Sequence, residues 1–221
     1  GSGRRMNTPV AKQFLDLMGI PVFLHSVRLF DKIADKIVLV TSPDAVEYCQ
    51  NLLEKEELCA EVIVIAGKSE RFLSSMEGVR AASDCDLIMI HDAARACVDM
   101  EVIERSIASA RIHGSGVAAV PLKDTVKVAD QNGMVLSTPD RSTLRIIQTP
   151  QTFKALKLRQ LYEALSPKEK ELLTDAAKIF VMRGEKVHIV DGEVFNIKIT
   201  YPYDLRVAEA LIKGEENKSE G

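Results

Sequence analysis

With 221 residues, 46% of them hydrophobic and 28% charged, the chain has the composition of an ordinary globular protein large enough to bury one substantial α/β core. A net charge of −3 argues against a general nucleic-acid binder, and no apolar run approaches the roughly 20 residues of a membrane span; neither partner is expected, and a cytoplasmic location is. Four scattered cysteines with no Cys-x-x-Cys pair leave no thiolate metal site and no disulfide framework to propose.

The chain opens on Gly1-Ser2-Gly3-Arg4-Arg5-Met6-Asn7-Thr8-Pro9-Val10-Ala11-Lys12-Gln13, with three cations and no carboxylate. Gly1 and Gly3 let backbone N–H groups approach an anion, and Arg5 and Lys12 can reach the same point from either end. This is the pattern of a polyphosphate cradle, although a solvated basic turn has the same composition. The third glycine of a dinucleotide fingerprint is missing, and no Gly-Lys-Ser/Thr follows to make a Walker loop. Such a loop ordinarily follows a buried strand, and the sequence as it stands opens on the loop itself.

Periodicity predicts a helix over Pro21 to Ile33, a strand over Lys36 to Thr41, a helix from Asp44 to about Leu58 and a strand over Glu61 to Ala66. A helix from about Glu70 to Ala82, a strand over Asp86 to Ile90, a helix over Met100 to Ile112 and a strand over Gly116 to Leu122 continue the alternation. Strands alternating with helices imply βαβ units. The expected fold is therefore α/β, a Rossmann-like, mainly parallel sheet with helices on both faces, and its ligands are expected beyond the carboxyl ends of the strands.

The rhythm breaks after Leu122. Thr125 to Ala129 and Met134 to Ser137 flank Asp130-Gln131-Asn132-Gly133, whose Asn-Gly pair signals a hairpin, and a further extended run covers Leu144 to Gln148. An isolated hairpin is only marginally stable in water. A β-arm at about 122–147 is thus expected to protrude from a single domain spanning 1–221 and to pack against a second copy in a homodimer. Helices follow over Ala155 to Leu165 and Asp175 to Arg183, strands over Lys186 to Val190 and Asn196 to Thr200, and a last helix from Asp204 to Ile212.

At the predicted strand ends, Asp92 of His91-Asp92-Ala93-Ala94-Arg95 could bind Mg²⁺, which takes one or two protein carboxylates and completes its shell with phosphate and water. Gly67 to Arg71 with Ser74 offers a glycine turn and a helix N-terminus to a base or ribose. Taken singly, each of these reads more readily as a cap or a surface turn than as a site. Glu70-Arg71, His91-Asp92-Ala93-Ala94-Arg95, Asp124-Thr125-Val126-Lys127, Asp140-Arg141, Gln148-Thr149-Pro150-Gln151, Thr174-Asp175 and Asn196-Ile197-Lys198-Ile199-Thr200, following Gly1-x-Gly3-Arg4-Arg5-Met6 and Lys12-Gln13-Phe14, occur in one order. In that order they resemble the 2-C-methyl-D-erythritol 4-phosphate cytidylyltransferase family.

The resemblance implies a nucleotidyltransferase that moves CMP from CTP to 2-C-methyl-D-erythritol 4-phosphate and releases pyrophosphate, a step of the non-mevalonate isoprenoid pathway. It implies a nucleotide site made of Gly1, Ser2, Gly3, Gly67, Arg71, Ser74, Asp92 and Ala93, with Mg²⁺ on Asp92. It further implies catalysis by Arg5, Lys12 and Arg141, and an acceptor site of Arg95, Thr125, Arg141, Thr174 and Lys198, with Arg141 reaching into the partner subunit's site. Ala11, Lys68, Leu73, Ala96 and Ala176 depart from the family pattern. The stretch from Leu165 to Ile179 and that from Gly192 to Leu205 are also similar to ribitol-5-phosphate cytidylyltransferases, which leaves that acceptor as the alternative. The alternative of another class is a nucleotide-binding module that has lost catalysis.

Overall fold

Val, Ile and Leu dominate the runs Ile37-Val38-Leu39-Val40 and Val62-Ile63-Val64-Ile65, and both form strands, as branched side chains favour. This computed structural model describes the backbone of residues 11–68 and 71–219, with side chains for all of these except residue 71 and residues 215–219. A short hairpin, β1 (Asp16–Leu17) and β2 (Ile20–Pro21), precedes helix α1 (Val22–Phe30). Strand β3 (Lys36–Thr41), helix α2 (Val46–Leu53) and strand β4 (Glu61–Ala66) form a βαβ unit whose strands pair in parallel over their whole length. Helix α3 (Arg71–Ala81), strand β5 (Leu87–Ile90), helix α4 (Met100–His113) and strand β6 (Ser115–Pro121) continue the alternation. Asp99 caps α4 by accepting the Val102 N–H at 2.8 Å.

The arm follows. Strands β7 (Val128–Ala129) and β8 (Val135–Ser137) pair antiparallel around the predicted turn. Asp130 accepts the N–H groups of Asn132 and Met134, both at 2.9 Å, and Gly133 takes the left-handed conformation, φ +82°, that an L side chain adopts only with strain. Strand β9 (Arg145–Lys154) returns from the arm into the body. Helices α5 (Ala155–Glu163), α6 (Pro167–Glu171) and α7 (Ala177–Met182), strand β10 (Ile189–Asp191) and helix α8 (Pro202–Ser219) complete the chain.

Among the described residues the main sheet runs β10-β6-β9-β5, and β3-β4 is a second ladder. β10 is parallel to β6, whereas β9 is antiparallel to both of its neighbours, so the α/β sheet is mixed. The expected strand over Asn196 to Thr200 makes no ladder among the described residues; its backbone groups serve side chains of the site instead.

Apolar side chains fill both faces. Phe23, Leu24 and Val27 of α1 pack with Cys49 and Leu53 of α2 against Ile37, Leu39, Val62 and Val64. On the opposite face α3, α5 and α7 meet around Phe72, Met76, Ile88, Val117, Phe153 and Ile179. Phe153, fully buried, stacks on Phe180 with ring centroids 4.8 Å apart. Among the described residues no helix is long and apolar enough to cross a membrane.

Candidate active site

A mixed α/β sheet exposes loops at the carboxyl ends of its parallel strands, where side chains converge. β5 ends at Ile90, and His91 to Arg95 form the turn beyond it, closed by the Arg95 N–H donating to the Asp92 carbonyl at 2.8 Å. Two contacts fix this turn from β9. The Asp92 N–H donates to Thr149 Oγ1 at 3.0 Å, and that hydroxyl lies 3.3 Å from His91 Nδ1. His91 Nε2 faces the Arg95 carbonyl at 3.3 Å, and the ring packs on Phe30, centroids 4.8 Å apart. Burial pushes the His91 pKa down to about 4, so the ring is neutral at pH 7 and Nδ1 can accept the Thr149 hydroxyl while Nε2–H donates to the carbonyl.

The segment from Asn196 to Thr200 crosses this turn. The Ile199 N–H donates to the Ala94 carbonyl at 2.8 Å. Lys198 Nζ then meets Asp92 Oδ2 at 2.7 Å, with Asp92 mostly shielded and Lys198 about one-third exposed. Lys12 Nζ donates to the Ile199 carbonyl at 2.6 Å, and the buried Arg95 donates to the Asn196 carbonyl at 2.6 Å. Asn196 is itself buried, its amide donating to the Thr149 carbonyl at 2.9 Å, and Gln148 donates to the Glu193 carbonyl at 2.8 Å. Three cations are thereby gathered on one five-residue segment, and one of them, Lys198, pairs with the Asp92 carboxylate. Arg95, buried and bonded to backbone, positions that segment rather than facing the cleft.

Gly67 and Lys68 follow β4. The Lys68 N–H donates to Ser74 Oγ at 2.9 Å, and that hydroxyl returns a bond to the Lys68 carbonyl at 3.0 Å. A Cβ at residue 67 would lie 2.7 Å from Ser74 Oγ and 3.2 Å from Val40 Cγ1, so the turn closes this tightly only on glycine. Lys12, Gly67, Ser74, Asp92, Ala93 and Lys198 all line one cleft of about 2010 Å³. Residues that the sequence spreads over almost 190 positions thus share one cavity.

The other expected site residues fall elsewhere. Arg141 lies on the arm, donating to the Lys123 carbonyl at 2.7 Å, two residues from the exposed Thr125. Thr174 is exposed beside Asp175, whose carboxylate accepts from Gln151 at 3.2 Å and caps the following helical turn through the Lys178 N–H at 3.0 Å. Gly1, Ser2, Gly3 and Arg5, and the side chain of Arg71, lie outside the described residues. Sequence reading gave no site role to Thr149, Gln148 or Asn196. The signal available was the run Gln148-Thr149-Pro150-Gln151, in which nothing marks the threonine as a brace for Asp92.

The model of the family described as IspD: 2-C-methyl-D-erythritol 4-phosphate cytidylyltransferase matches residues 1–214. The chain belongs to this family. A 2-C-methyl-D-erythritol 4-phosphate cytidylyltransferase of Caldanaerobacter subterraneus subsp. tengcongensis is 40% identical over 218 residues, 96% of this chain and 95% of its own length. One from Clostridium botulinum is 35% identical over 216 residues, 96% and 94% of the two chains. Among solved structures, 4-diphosphocytidyl-2C-methyl-D-erythritol synthase of Anaerococcus prevotii superposes with a TM-score of 0.80 at 30% identity, covering 91% of this chain and 93% of its own. As a cytidylyltransferase-family member with the α/β fold of its relatives, the chain is a nucleotidyltransferase enzyme.

Proposed function

We propose that this chain, as one nucleotidyltransferase domain, transfers CMP from CTP to 2-C-methyl-D-erythritol 4-phosphate and releases pyrophosphate, a step of isoprenoid biosynthesis. The observation that carries the reading is the convergence of Lys12, Lys198 and Asp92 on one cleft with the tight Gly67–Ser74 turn beside it. Family membership over residues 1–214 supplies the reaction class.

The chemistry needs little from the protein beyond placement and charge. A phosphate monoester with a second pKa near ~6 is largely dianionic at pH 7 and attacks without a general base. One of its oxygens bonds to the α-phosphorus of CTP as the bond to the β,γ-pyrophosphate breaks, and the electron pair leaves with pyrophosphate. Holding the two anions in line and neutralising the charge on the α-phosphoryl oxygens is work for cations. In this reading Lys12 and Arg5 hold the triphosphate, Lys198 holds the acceptor phosphate, and Gly1, Ser2, Gly3, Gly67, Arg71, Ser74 and Ala93 frame the nucleotide.

Asp92 fits Mg²⁺ as a single-carboxylate site completed by phosphate oxygens, the commonest arrangement for this ion beside nucleotides. Among the described residues no group of three or more His, Cys, Asp or Glu forms a larger metal site. Bound there, Mg²⁺ would supply positive charge to the phosphates. Lys198 at 2.7 Å holds the carboxylate in place.

The arm belongs to the same reading. Met134, Val135 and Leu136 are 58–67% exposed, and Val128 and Ile146 are also open. An exposed apolar tip on a two-stranded hairpin suits a self-complementary interface. In such a homodimer Arg141 and Thr125 would complete the acceptor site of the partner subunit, and Thr174 would border it. We place the enzyme in the cytoplasm with its soluble substrates.

Pyrophosphate release, measured with CTP and Mg²⁺ in the presence and absence of methylerythritol phosphate, tests the reading. Acceptor-dependent release is expected. CTP binding without release with any polyol phosphate would instead mean a nucleotide-binding module.

A further inference from the structure

Strand β9 does not pair evenly along its length. Gln151 lies opposite Val117 of β6 and Ile147 opposite Ala119, so Gln148, Thr149 and Pro150 share the single position of Ala118. The ladder between β9 and β5 ends at this level, with Gln151 opposite Ile90. A bulge of this kind next to a site re-aims side chains that strand alternation would otherwise dictate. Thr149 turns to the Asp92 turn, where its hydroxyl accepts the Asp92 N–H. Gln148 turns to the opposite wall, the loop that follows β10.

The Gln148 side chain is buried, and its amide is spent on that loop. Nε2 donates to the Glu193 carbonyl at 2.8 Å and to the Asn196 carbonyl at 3.3 Å, while Oε1 accepts from Asn196 Nδ2 at 3.4 Å. The amide rests on Gly192, where a Cβ would come within 2.3 Å of Oε1 and 3.2 Å of the Ala119 nitrogen. Gly192 is in turn pinned to β6, its N–H donating to the Ala119 carbonyl at 2.8 Å. Arg105 of α4 grips the same loop from outside through the Asp191 carbonyl at 3.1 Å, but in contact with water. Lys198 follows Asn196 by two residues. Its place is set by the anchors on either side: Ile199 on Ala94, and Asn196 on Arg95, Thr149 and Gln148. Among the described residues it is the Gln148 amide that bridges Glu193 to Asn196, so it fixes the path of the loop as well as its end. A shift of about 1 Å in a positioned group can cost a reaction roughly 100-fold.

We propose that Gln148 is a positioning residue for the acceptor, holding Lys198 through the Glu193–Asn196 loop at the point where the acceptor phosphate is taken up. The inference rests on the reading of Lys198 as the group that holds that phosphate. One bulge then serves both halves of the site: Thr149 steadies Asp92 on the nucleotide side, and Gln148 steadies Lys198 on the acceptor side.

Gln148→Met keeps the volume of the side chain and removes the amide's hydrogen bonds. Read by pyrophosphate release at saturating CTP, the acceptor KM should rise about tenfold, with kcat and the CTP KM within about twofold. Because Gln148 acts through Lys198, adding Gln148→Met to Lys198→Ala should move the acceptor KM by less than about twofold. Gly192→Ala, whose methyl presses on Gln148 Oε1, should reproduce the rise with Gln148 in place, and it carries the test if Gln148→Met does not fold. Without substrate, the Asn196 and Ile199 amides should exchange at least tenfold faster in Gln148→Met, while those of 152–154 keep their rate. An unchanged acceptor KM in a folded variant, or losses that multiply in the Lys198→Ala background, overturns the proposal and leaves Gln148 a purely structural bond. If the wild-type protein releases no pyrophosphate with methylerythritol phosphate, the reaction itself fails, and with it the role of Lys198 on which the positioning depends.

Discussion

Lys198→Ala removes the ammonium 2.7 Å from Asp92 Oδ2 while leaving the backbone that Lys12 and Arg95 grip. At that separation an effective dielectric of 20 gives about 6 kcal/mol of attraction, but Lys198 is about one-third exposed, so solvent screens most of it. A charge-assisted hydrogen bond of this exposure contributes about 1.5–2 kcal/mol net. Transferred to the acceptor phosphate, that is about a 10- to 30-fold loss in kcat/KM for the acceptor. Steady-state pyrophosphate release with the acceptor varied at saturating CTP reads this directly, and CTP titration provides the contrast. The expected signature is a raised acceptor KM with the CTP KM within about twofold. An unchanged acceptor KM with native circular dichroism would mean that Lys198 serves only to pair Asp92, and the acceptor site would have to be placed elsewhere.

Replacing Gly67 with Val drives a side chain into Ser74 Oγ and Val40; CTP affinity measured by calorimetry should fall at least tenfold while Tm drops by only a few degrees. On the arm, Leu136→Asp should convert a dimer into a monomer in sedimentation at micromolar concentration, and a wild-type protein already monomeric there would remove the arm's assigned role. Phe153→Ala empties the fully buried site against Phe180 and should cost about 3–5 kcal/mol in urea unfolding. The Glu169 carboxylate, gripped by Arg183 at 2.7 and 2.9 Å and capping α6 through Ser166, has its pKa lowered from 4.5 to about 2. Its contribution is complete above pH 4.5 and lost as pH falls through 2; Glu169→Gln should flatten that part of the acid stability profile, and an unaltered profile would refute the linkage.

Physical signals differ in how local they are, and the structure divides along that line. Lys36–Thr41 and Glu61–Ala66 were legible to the residue because unbroken branched runs bounded by turns have few other solutions. Asn132-Gly133 announced the hairpin through backbone conformation alone. The antiparallel course of β9 was not legible, since an apolar period says nothing about direction. Asn196 to Thr200 has strand composition, but its carbonyls at 196 and 199 accept from Arg95 and Lys12, so tertiary demand overrode propensity. Helix α6 went unread although Ser166-Pro167-Lys168-Glu169 carries a full capping box. At the site, charged residues at strand ends were visible as candidates, whereas Thr149 was not: its role exists only once β9 lies beside β5. The depressed pKa of His91 likewise comes from burial beside Phe30, 61 positions away.

The identity of the acceptor is the central claim, and one competition decides it. With CTP and Mg²⁺ present, methylerythritol 4-phosphate and ribitol 5-phosphate are supplied together at equal concentration, and the cytidine diphosphate products are separated and identified by mass. The account predicts that the methylerythritol product dominates by at least a hundredfold. Predominance of the ribitol product would contradict it and shift control of the acceptor to the region from Leu165 to Leu205.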